Sequence, residues 1–460
     1  MSYGILIDFG STFTKVVIVD LVSKEIVLTD KVPSTVNTDA SICLNQCFEL
    51  SKKVLGEADF KQAEKLASSS AAGGLRMSVV GLTNSLSTLA GKSAALSAGA
   101  RITSSFSGIL TEDSINELEK GGTEIILFCG GYEHGNVSMV ARNAEILAGS
   151  NLSVPIIYSG NSELVRDIRR IMQVHKKQCY IAPNIIPRQG VLNPEPTQCI
   201  IKSIFFDYIM DMKGLHNIKN EFSNRLIPTP AALLSAGELL SRGTDIYEGL
   251  GPLMIIDIGG ATTDVYSIGE NKSCDGAKPI GSSEPFLKRT VEGDLGMRES
   301  CHSAMGECGI GSAALRLDIT ESQLRNAIRH RAEKTDYLPD NETERMIDDM
   351  IAISSASAAV RRHAGRIIPS YNRDGKSIQQ GKNLTDFSRI IGTGGILVHN
   401  HNPSRILKSA EKNVRDKNIL LPESVDTYLD KDYILFSSGL MRMIDEDIAM
   451  NMMLKSIRKC

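Results

Sequence analysis

Two ten-residue stretches constrain this chain more than anything else in it: "IDFGSTFTKV" at 7–16 and "IDIGGATTDV" at 256–265. Each sets an Asp at the end of an apolar run, follows it with glycine and hydroxyl residues, and then re-enters an apolar run. One buried strand does not tolerate that interruption. Two strands joined by a turn that holds something polar do. Glycine lets backbone N–H groups approach a phosphate, hydroxyls donate to its oxygens, and an Asp at a strand end can hold Mg²⁺ through its water shell. Alone, either stretch is an ordinary hairpin turn. Two of them in corresponding places, about 250 residues apart, point to phosphate binding from two halves of a duplicated fold.

A third element, "IIGTGGILVH" at 390–399, sets a glycine cluster after an apolar run and before a helical one. That is a standard place for a nucleotide, although "GTGG" by itself is also a plain tight turn. The chain order of hairpin, hairpin and glycine turn is what gives the trio weight.

The remaining pattern is α/β. Strands are expected at 4–9, 15–20 and 26–32, and an Ala/Ser-rich helix at 56–71. Then come a strand in "MSVVGLT", a helix at 85–100, a strand at 101–103, a helix at 111–119 and a strand in "EIILFCGG". A helix at 137–149, a strand in "VPIIYSGN", a helix at 162–173 and a strand in "QCYIAPN" complete the run. Such alternation predicts a largely parallel sheet covered by helices. The Pro-rich 184–200 reads as an ordered surface loop, and 197–243 as helical. Beyond the second hairpin the chain reads as mostly helical to 380, with "YILFSSGLM" as a further strand-turn-helix joint. The boundary between halves is expected near 248–252.

Composition narrows the function. The 460 residues carry a formal charge of -3, with 42% hydrophobic and 23% charged residues, which offers nothing to nucleic acid or a membrane surface. The nine cysteines contain no C-x-x-C and read as reduced thiols. With no leader-like segment and no run of about 18 apolar residues, the expectation is a soluble, cytoplasmic protein.

The trio of turns resembles the actin/Hsp70/sugar-kinase ATPase superfamily, and "PTPAALLSAG" at 228–237 resembles its connecting helix. The resemblance implies an actin-like ATPase fold of two ribonuclease H-like lobes with a nucleotide cleft between them. The first lobe would span 1–250 and the second 251–460. A closer resemblance, carried by "NIIPRQGVLNPEPTQ", "TPAALLSAGELL", "IDIGGATTDVYSI" and "KRTVEGDLGMR", is to the MutL/GlmL family. These proteins accompany adenosylcobalamin-dependent glutamate mutase (methylaspartate mutase) and related aminomutases of amino-acid fermentation, and share only a name with the mismatch-repair MutL. The run "RTVEGDLGMR" is no generic ATPase motif and so discriminates within the superfamily.

That resemblance implies an ATP-dependent reactivating chaperone and weak ATPase that helps a mutase exchange damaged cofactor for intact adenosylcobalamin. Its cofactors would be ATP and Mg²⁺. Asp8 would orient metal-bound water, with Gly10, Ser11, Thr12 and Thr14 at the phosphates and Lys15 adding positive charge. Asp257 would hold the metal from the other lobe, with Gly259, Gly260, Thr262 and Thr263 around the phosphates and Asp264 polarising the attacking water. Gly392, Thr393, Gly394 and Gly395 would bound the adenosine. Chaperone-type relatives carry a Glu where this chain has Ile227, so slow hydrolysis is expected. A small-molecule kinase on the same fold and an actin-like filament or scaffold protein are the alternatives.

Other features take plainer readings. "LAGKSAA" at 89–95 has Leu86 where a P-loop needs its first glycine. No D-x-H-x-x-G surrounds any histidine, which argues against direct base-off cobalamin binding. Cys301 and Cys308 read as thiols on one helical face, and 361–376 as a solvated basic helix end and loop. His399 and His401 read as helix-start residues. "CGGYEHGNV" at 129–137 reads equally as a structural turn or as part of the cleft.

Overall fold

The computed structural model describes residues 2–10, 13–36, 38–70, 75–210, 222, 226–274, 276–280, 284–369 and 377–460. The chain divides into two units. The first holds Met1–Ser235 and Phe436–Ile448, and the second Ala236–Ile280, Glu284–Leu435 and Ala449–Cys460. The division thus falls inside the helix Thr229–Arg242 rather than near 250.

In chain order the strands of the first unit are β1 (Tyr3–Phe9), β2 (Phe13–Asp20), β3 (Glu25–Pro33), β4 (Glu64–Ser69), β5 (Arg76–Gly81), β6 (Arg101–Ser107), β7 (Ile125–Phe128), β8 (Ile156–Tyr158), β9 (Cys179–Ile181) and β10 (Leu226–Pro228). They form two sheets. The mixed one has the order β10-β4-β1-β2-β3. Here β1, β2 and β3 are antiparallel neighbours, while β1, β4 and β10 run parallel. Ile5, Leu6 and Ile7 are all buried, so β1 is covered on both faces and its sequence is a continuous apolar run.

The second sheet has the order β6-β5-β7-β8-β9 and is parallel throughout. Alternation along β5 and β7 feeds two cores. Met77, Val79, Ile125 and Leu127 face Ala90, Ala94 and Ala95 of the helix Ser87–Ser97. Val80, Ile126 and Phe128 face Val140, Ala144 and Leu147 of the helix Val137–Gly149. Helices therefore cover both sides, as a doubly wound sheet requires.

The second unit contains β11 (Leu253–Ile258), β12 (Thr263–Ile268), β13 (Ala277–Ile280), β14 (Leu287–Glu292), β15 (Arg366–Ile368), β16 (Ser377–Gln380), β17 (Arg389–Thr393), β18 (Asp426–Asp430) and β19 (Ile457–Lys459). Its main sheet is β14-β12-β11-β17-β18-β19, with a small β13-β16-β15 sheet beside it in sequence. The antiparallel β11, β12 and β14 followed by the parallel β17 and β18 repeat the arrangement of β1, β2, β3, β4 and β10. Both units thus carry the ribonuclease H-like sheet of the actin-like ATPase fold, as expected. No described helix is long and apolar enough to cross a membrane.

Several expected elements differ. Of the helix expected at 56–71, only Glu57–Gln62 is helical; 64–69 is β4. Its small residues favour helix locally, but the site between β1 and β10 needs a narrow buried strand. The expected helix 197–243 is two helices, Glu195–Met210 and Thr229–Arg242, with β10 between them; 211–221 lie outside the described residues. The stretch expected to be mostly helical to 380 holds β13 to β16. "YILFSSGLM" supplies the helix Leu435–Met441, the strand before it being β18. His399 ends the helix Gly395–Val398, while Asn402 caps the next, Pro403–Leu407. The basic run is solvated only in part where it is described: Arg362, Arg366, Ile368 and Pro369 are exposed, but His363 is buried and Arg361 pairs with Asp416 at 2.6 Å.

Candidate functional site

In the first unit, the turn at Gly10 sits at the end of β1. A Cβ at Gly10 would lie 2.6 Å from the Phe13 carbonyl oxygen, so the turn admits only glycine. Asp8 is buried and pairs in register with Lys15 across the hairpin and with Ser68 on β4. Its Oδ1 accepts from Ser68 Oγ at 2.8 Å and from Thr229 Oγ1 at 2.5 Å. Its Oδ2 lies 3.8 Å from Lys15 Nζ, which also sits 5.6 Å above the Phe436 ring. Lys15 is therefore on the Asp8 face of the hairpin. Thr14 Oγ1 is buried without a partner among the described residues. Ser11 and Thr12 lie outside the described residues.

Sequence reasoning missed Ser68 and Thr229. Ser68 lies within β4 and Thr229 directly follows β10, parallel strands whose order only the folded sheet sets. Ile227, where a Glu stands in chaperone-type relatives, lies on β10 opposite Ser68.

In the second unit, Asp257 and Asp264 face each other across β11 and β12. Two carboxylates on one face repel, and Arg289 on β14 resolves this. Its Nε and Nη2 lie 2.7 and 2.6 Å from Asp264 Oδ1, in a buried pair. Asp264 Oδ2 accepts from Thr262 Oγ1 at 3.4 Å. Burial, then the Asp264 charge, push the phenol of Tyr266 well above its usual range. The turn itself closes with Gly259 N donating to Thr262 O at 2.9 Å.

What holds this turn is the run 289–298, "RTVEGDLGMR". Met297 N donates to Gly259 O at 3.0 Å and Arg298 N to Gly260 O at 2.7 Å. Gly296 packs so closely that a Cβ would lie 2.4 Å from the Ala261 carbonyl carbon. Thr263 Oγ1 donates to Leu295 O at 2.8 Å, which commits its hydroxyl to the run and takes it away from a phosphate. The other end of the run is anchored as firmly. Arg362 binds Glu292 at 2.8 Å, Asp294 at 2.7 Å and Glu307 at 2.5 Å. Arg298 reaches the buried Asp348 at 3.2 Å, and Asp348 also binds the fully buried Arg331 at 2.6 Å. The run is a strap, and its unusual sequence is explained residue by residue by what it grips.

The glycine turn follows β17, beside β11. Asp257 pairs in register with Thr393, and Ile256 with Gly392. Gly394 has φ +100°, and a Cβ there would meet Ile258 O at 2.4 Å and Asp257 Oδ1 at 3.0 Å. Gly392 is backed by Leu397 and Leu407, and Gly395 faces the Tyr433 hydroxyl. Thr393 Oγ1 donates to the buried Asp430 Oδ2 at 3.2 Å. Asp430 also accepts from Ile434 N and Leu435 N at 2.9 and 3.2 Å. Asp430 is a further carboxylate that sequence reasoning missed, since nothing in "LDKDYI" marks its partner 37 residues away.

Among the described residues no three His, Cys, Asp or Glu side chains form a metal cage. Single carboxylates at strand ends suit a Mg²⁺ that keeps most of its water and takes its other ligands from phosphate. Asp8 and Asp257 are single carboxylates near the ends of β1 and β11.

The model of the MutL protein family matches residues 4–457. Protein MutL from Clostridium tetanomorphum is 37% identical over 461 residues, with 100% of both chains covered. Among solved structures, xylulose kinase from Bifidobacterium adolescentis aligns with 98% of this chain and 93% of its own, at TM-score 0.32 and 10% identity. A reductive activator for a corrinoid, iron–sulfur protein aligns with 99% of this chain and 62% of its own, at TM-score 0.25 and 13% identity. The end-to-end family match and the full-length relative show that the chain belongs to the MutL protein family.

Proposed function

We propose that this protein is an ATP-dependent reactivating factor for an adenosylcobalamin-dependent mutase, glutamate mutase first among the candidates, working in the cytoplasm. ATP binding and slow hydrolysis would bias the protein between a state that grips the mutase and opens its cofactor site and a state that lets go. A tenfold bias between two states needs only about 1.4 kcal/mol of differential binding, which one phosphate's contacts readily supply. The observation that carries the reading is the strap 289–298, which ties a family-specific sequence to the backbone of a phosphate-type turn.

In this reading Asp8 and Asp257 are each a carboxylate that would hold magnesium-bound water, and the ion would supply positive charge to offset that of the phosphates. Gly10 and the backbone of Gly259 and Gly260 approach the phosphates, helped by Thr14, Thr262 and the positive charge of Lys15. Gly392, Gly394 and Gly395 bound the adenosine, with Thr393 fixed by Asp430. Asp264 orients water through Oδ2, the oxygen that Arg289 leaves to Thr262. With Oδ1 held by two nitrogens of Arg289, only Oδ2 is left to meet water.

The test has two arms. Mg²⁺-ATP binding and turnover are measured for the wild type beside Asp8→Ala and Asp257→Ala, and both variants should lose them. Glutamate mutase inactivated by turnover is then incubated with the protein, ATP and fresh adenosylcobalamin, and should regain activity only when all three are present. A mutase that never recovers would sink the chaperone reading even if ATP binds.

A further inference from the structure

The parallel sheet of the first unit has the strand order β6-β5-β7-β8-β9. After β5 the chain crosses outward to β6, returns to the other side of β5 for β7, and continues away through β8 and β9. The winding direction therefore reverses at β5 and β7. In doubly wound sheets that reversal opens a crevice beyond the carboxyl ends of the two strands, and ligands bind there. This sheet has such a crevice: a cavity of about 210 Å³ between the turn after β5 and the turn after β7. Neither Asp8 nor any other residue of the phosphate-type turns lines it.

We propose that this crevice is a second small-molecule site, which takes a nucleoside or nucleotide with its base inserted into the slot. Its walls are apolar: Leu82 and Leu86 from one turn, Tyr132 and Met139 from the other, and Ile186 from the Pro-rich loop. The cavity is smaller than the ~300–1,000 Å³ that accommodates a whole drug-sized ligand. It suits a flat one- or two-ring base, for which Tyr132 and Met139 are good partners.

The glycines shape it. Gly131 has φ +74°, and a Cβ there would lie 2.8 Å from Leu82. Gly81 brings β5 so close to Thr88 that a Cβ would lie 2.3 Å from its hydroxyl. Polar groups stand at the rim. Exposed Thr83 lies on the β5 side, and the helix Ser87–Ser97 begins there with no capping side chain. From Asn136 and Met139 a second, more open depression of about 710 Å³ continues along the helix Val137–Gly149 to Arg142 and Glu145. It leaves room for a sugar, with an arginine within the groove for a phosphate. The loop "CGGYEHGNV", which the hairpins leave without a role, is one wall of this site.

The inference goes beyond the ATP-dependent reading and stands without it. The probe is the fluorescent nucleoside 2-aminopurine riboside, titrated into the full chain without ATP so that no nucleotide competes for the slot, and the tryptophan variants separate binding there from binding at the ATP turns. Stacking in the slot should quench it with saturation. Met139→Trp, which fills the slot, and Thr83→Trp, which closes its exposed rim without touching the core, should each weaken binding at least tenfold. Both should unfold at the wild-type temperature. The same chemistry, a heteroaromatic base on a sugar, is carried by a corrinoid cofactor, so adenosine and cyanocobalamin serve as competitors. Displacement by adenosine alone identifies a free nucleoside as the ligand; displacement by cyanocobalamin identifies a cofactor-borne base. Absence of saturable quenching, or quenching that both tryptophan variants leave intact while folded, overturns the proposal.

Discussion

Arg289 closes on Asp264 Oδ1 with two nitrogens, at 2.7 and 2.6 Å, inside the sheet of the second unit. This pair distinguishes the two hairpins. In the first, the residue opposite Asp8 is Lys15, and the hairpin balances its own charge. In the second, the residue opposite Asp257 is another carboxylate, and the balancing cation comes from β14. A buried pair costs most when one partner is removed, because the other is left charged and unsolvated. Asp264→Ala should therefore destabilise the protein by about 3–5 kcal/mol, measured by urea unfolding. The double replacement Asp264→Leu with Arg289→Met should recover most of that loss. If the recovered double variant still binds ATP but no longer turns it over, Asp264 has a chemical role beyond the pair.

Gly296 is the strap's point of closest approach. A methyl group there would meet the carbonyl carbon and oxygen of Ala261 and the oxygen of Gly260, all backbone atoms that cannot swing aside. Gly296→Ala should push the turn at 259–262 out of place, weaken ATP binding at least tenfold by calorimetry, and lower the unfolding temperature by several degrees. Arg362→Gln, which loosens the anchored end without touching the turn, should give a smaller loss of affinity. Equal affinity in Gly296→Ala and wild type would show that the strap does not position the turn.

Much of this was legible in the sequence because it rests on local rules. The hairpins follow from apolar runs broken by Asp and Gly, and the glycine turn from the cluster at 392–395. What was hidden depends on strand order. Ser68, Thr229 and Asp430 hold Asp8 and Thr393 from strands that become neighbours only in the folded sheet. The segment 64–69 has a helical composition, yet it fills a narrow place between two strands. The second parallel sheet of the first unit was read as a continuation of one sheet, because βαβ alternation shows which segments are strands and not where the series breaks.

Thr229 and Ser68 act on Asp8 as a pair, each donating to the same oxygen. Thr229→Val keeps the shape of the side chain and removes the donor, leaving Oδ1 with one hydroxyl. A hydrogen bond to a charged group contributes about 1.5–3 kcal/mol, so kcat/KM for ATP should fall roughly ten- to hundredfold if Asp8 must be held in one orientation. Ser68→Ala should behave similarly. The double variant should lose less than the product of the single losses, because both act through one carboxylate. Strictly multiplicative losses would place the two hydroxyls in separate roles.

His363 provides the pH dependence. It is fully buried in the second unit, with one ring nitrogen 2.9 Å from Thr290 Oγ1 and the other 2.7 Å from Ser267 Oγ. Burial, then the charges of Lys288 and Lys382, hold its pKa well below the ordinary 6.5. In the unfolded chain it titrates normally, so between its folded pKa and about 6.5 the unfolded state binds more protons. The stability this histidine contributes is complete above pH 6.5 and is lost as the pH falls through that window, by up to about 1.4 kcal/mol per pH unit. Its loss should loosen β14, because Thr290 lies on the strap. The measurement is urea unfolding at pH 7.5 and 5.5 for the wild type and His363→Gln. The wild type should lose markedly more stability on acidification than the variant, whose amide cannot take up a proton. Parallel losses in the two proteins would assign the acid sensitivity to other groups.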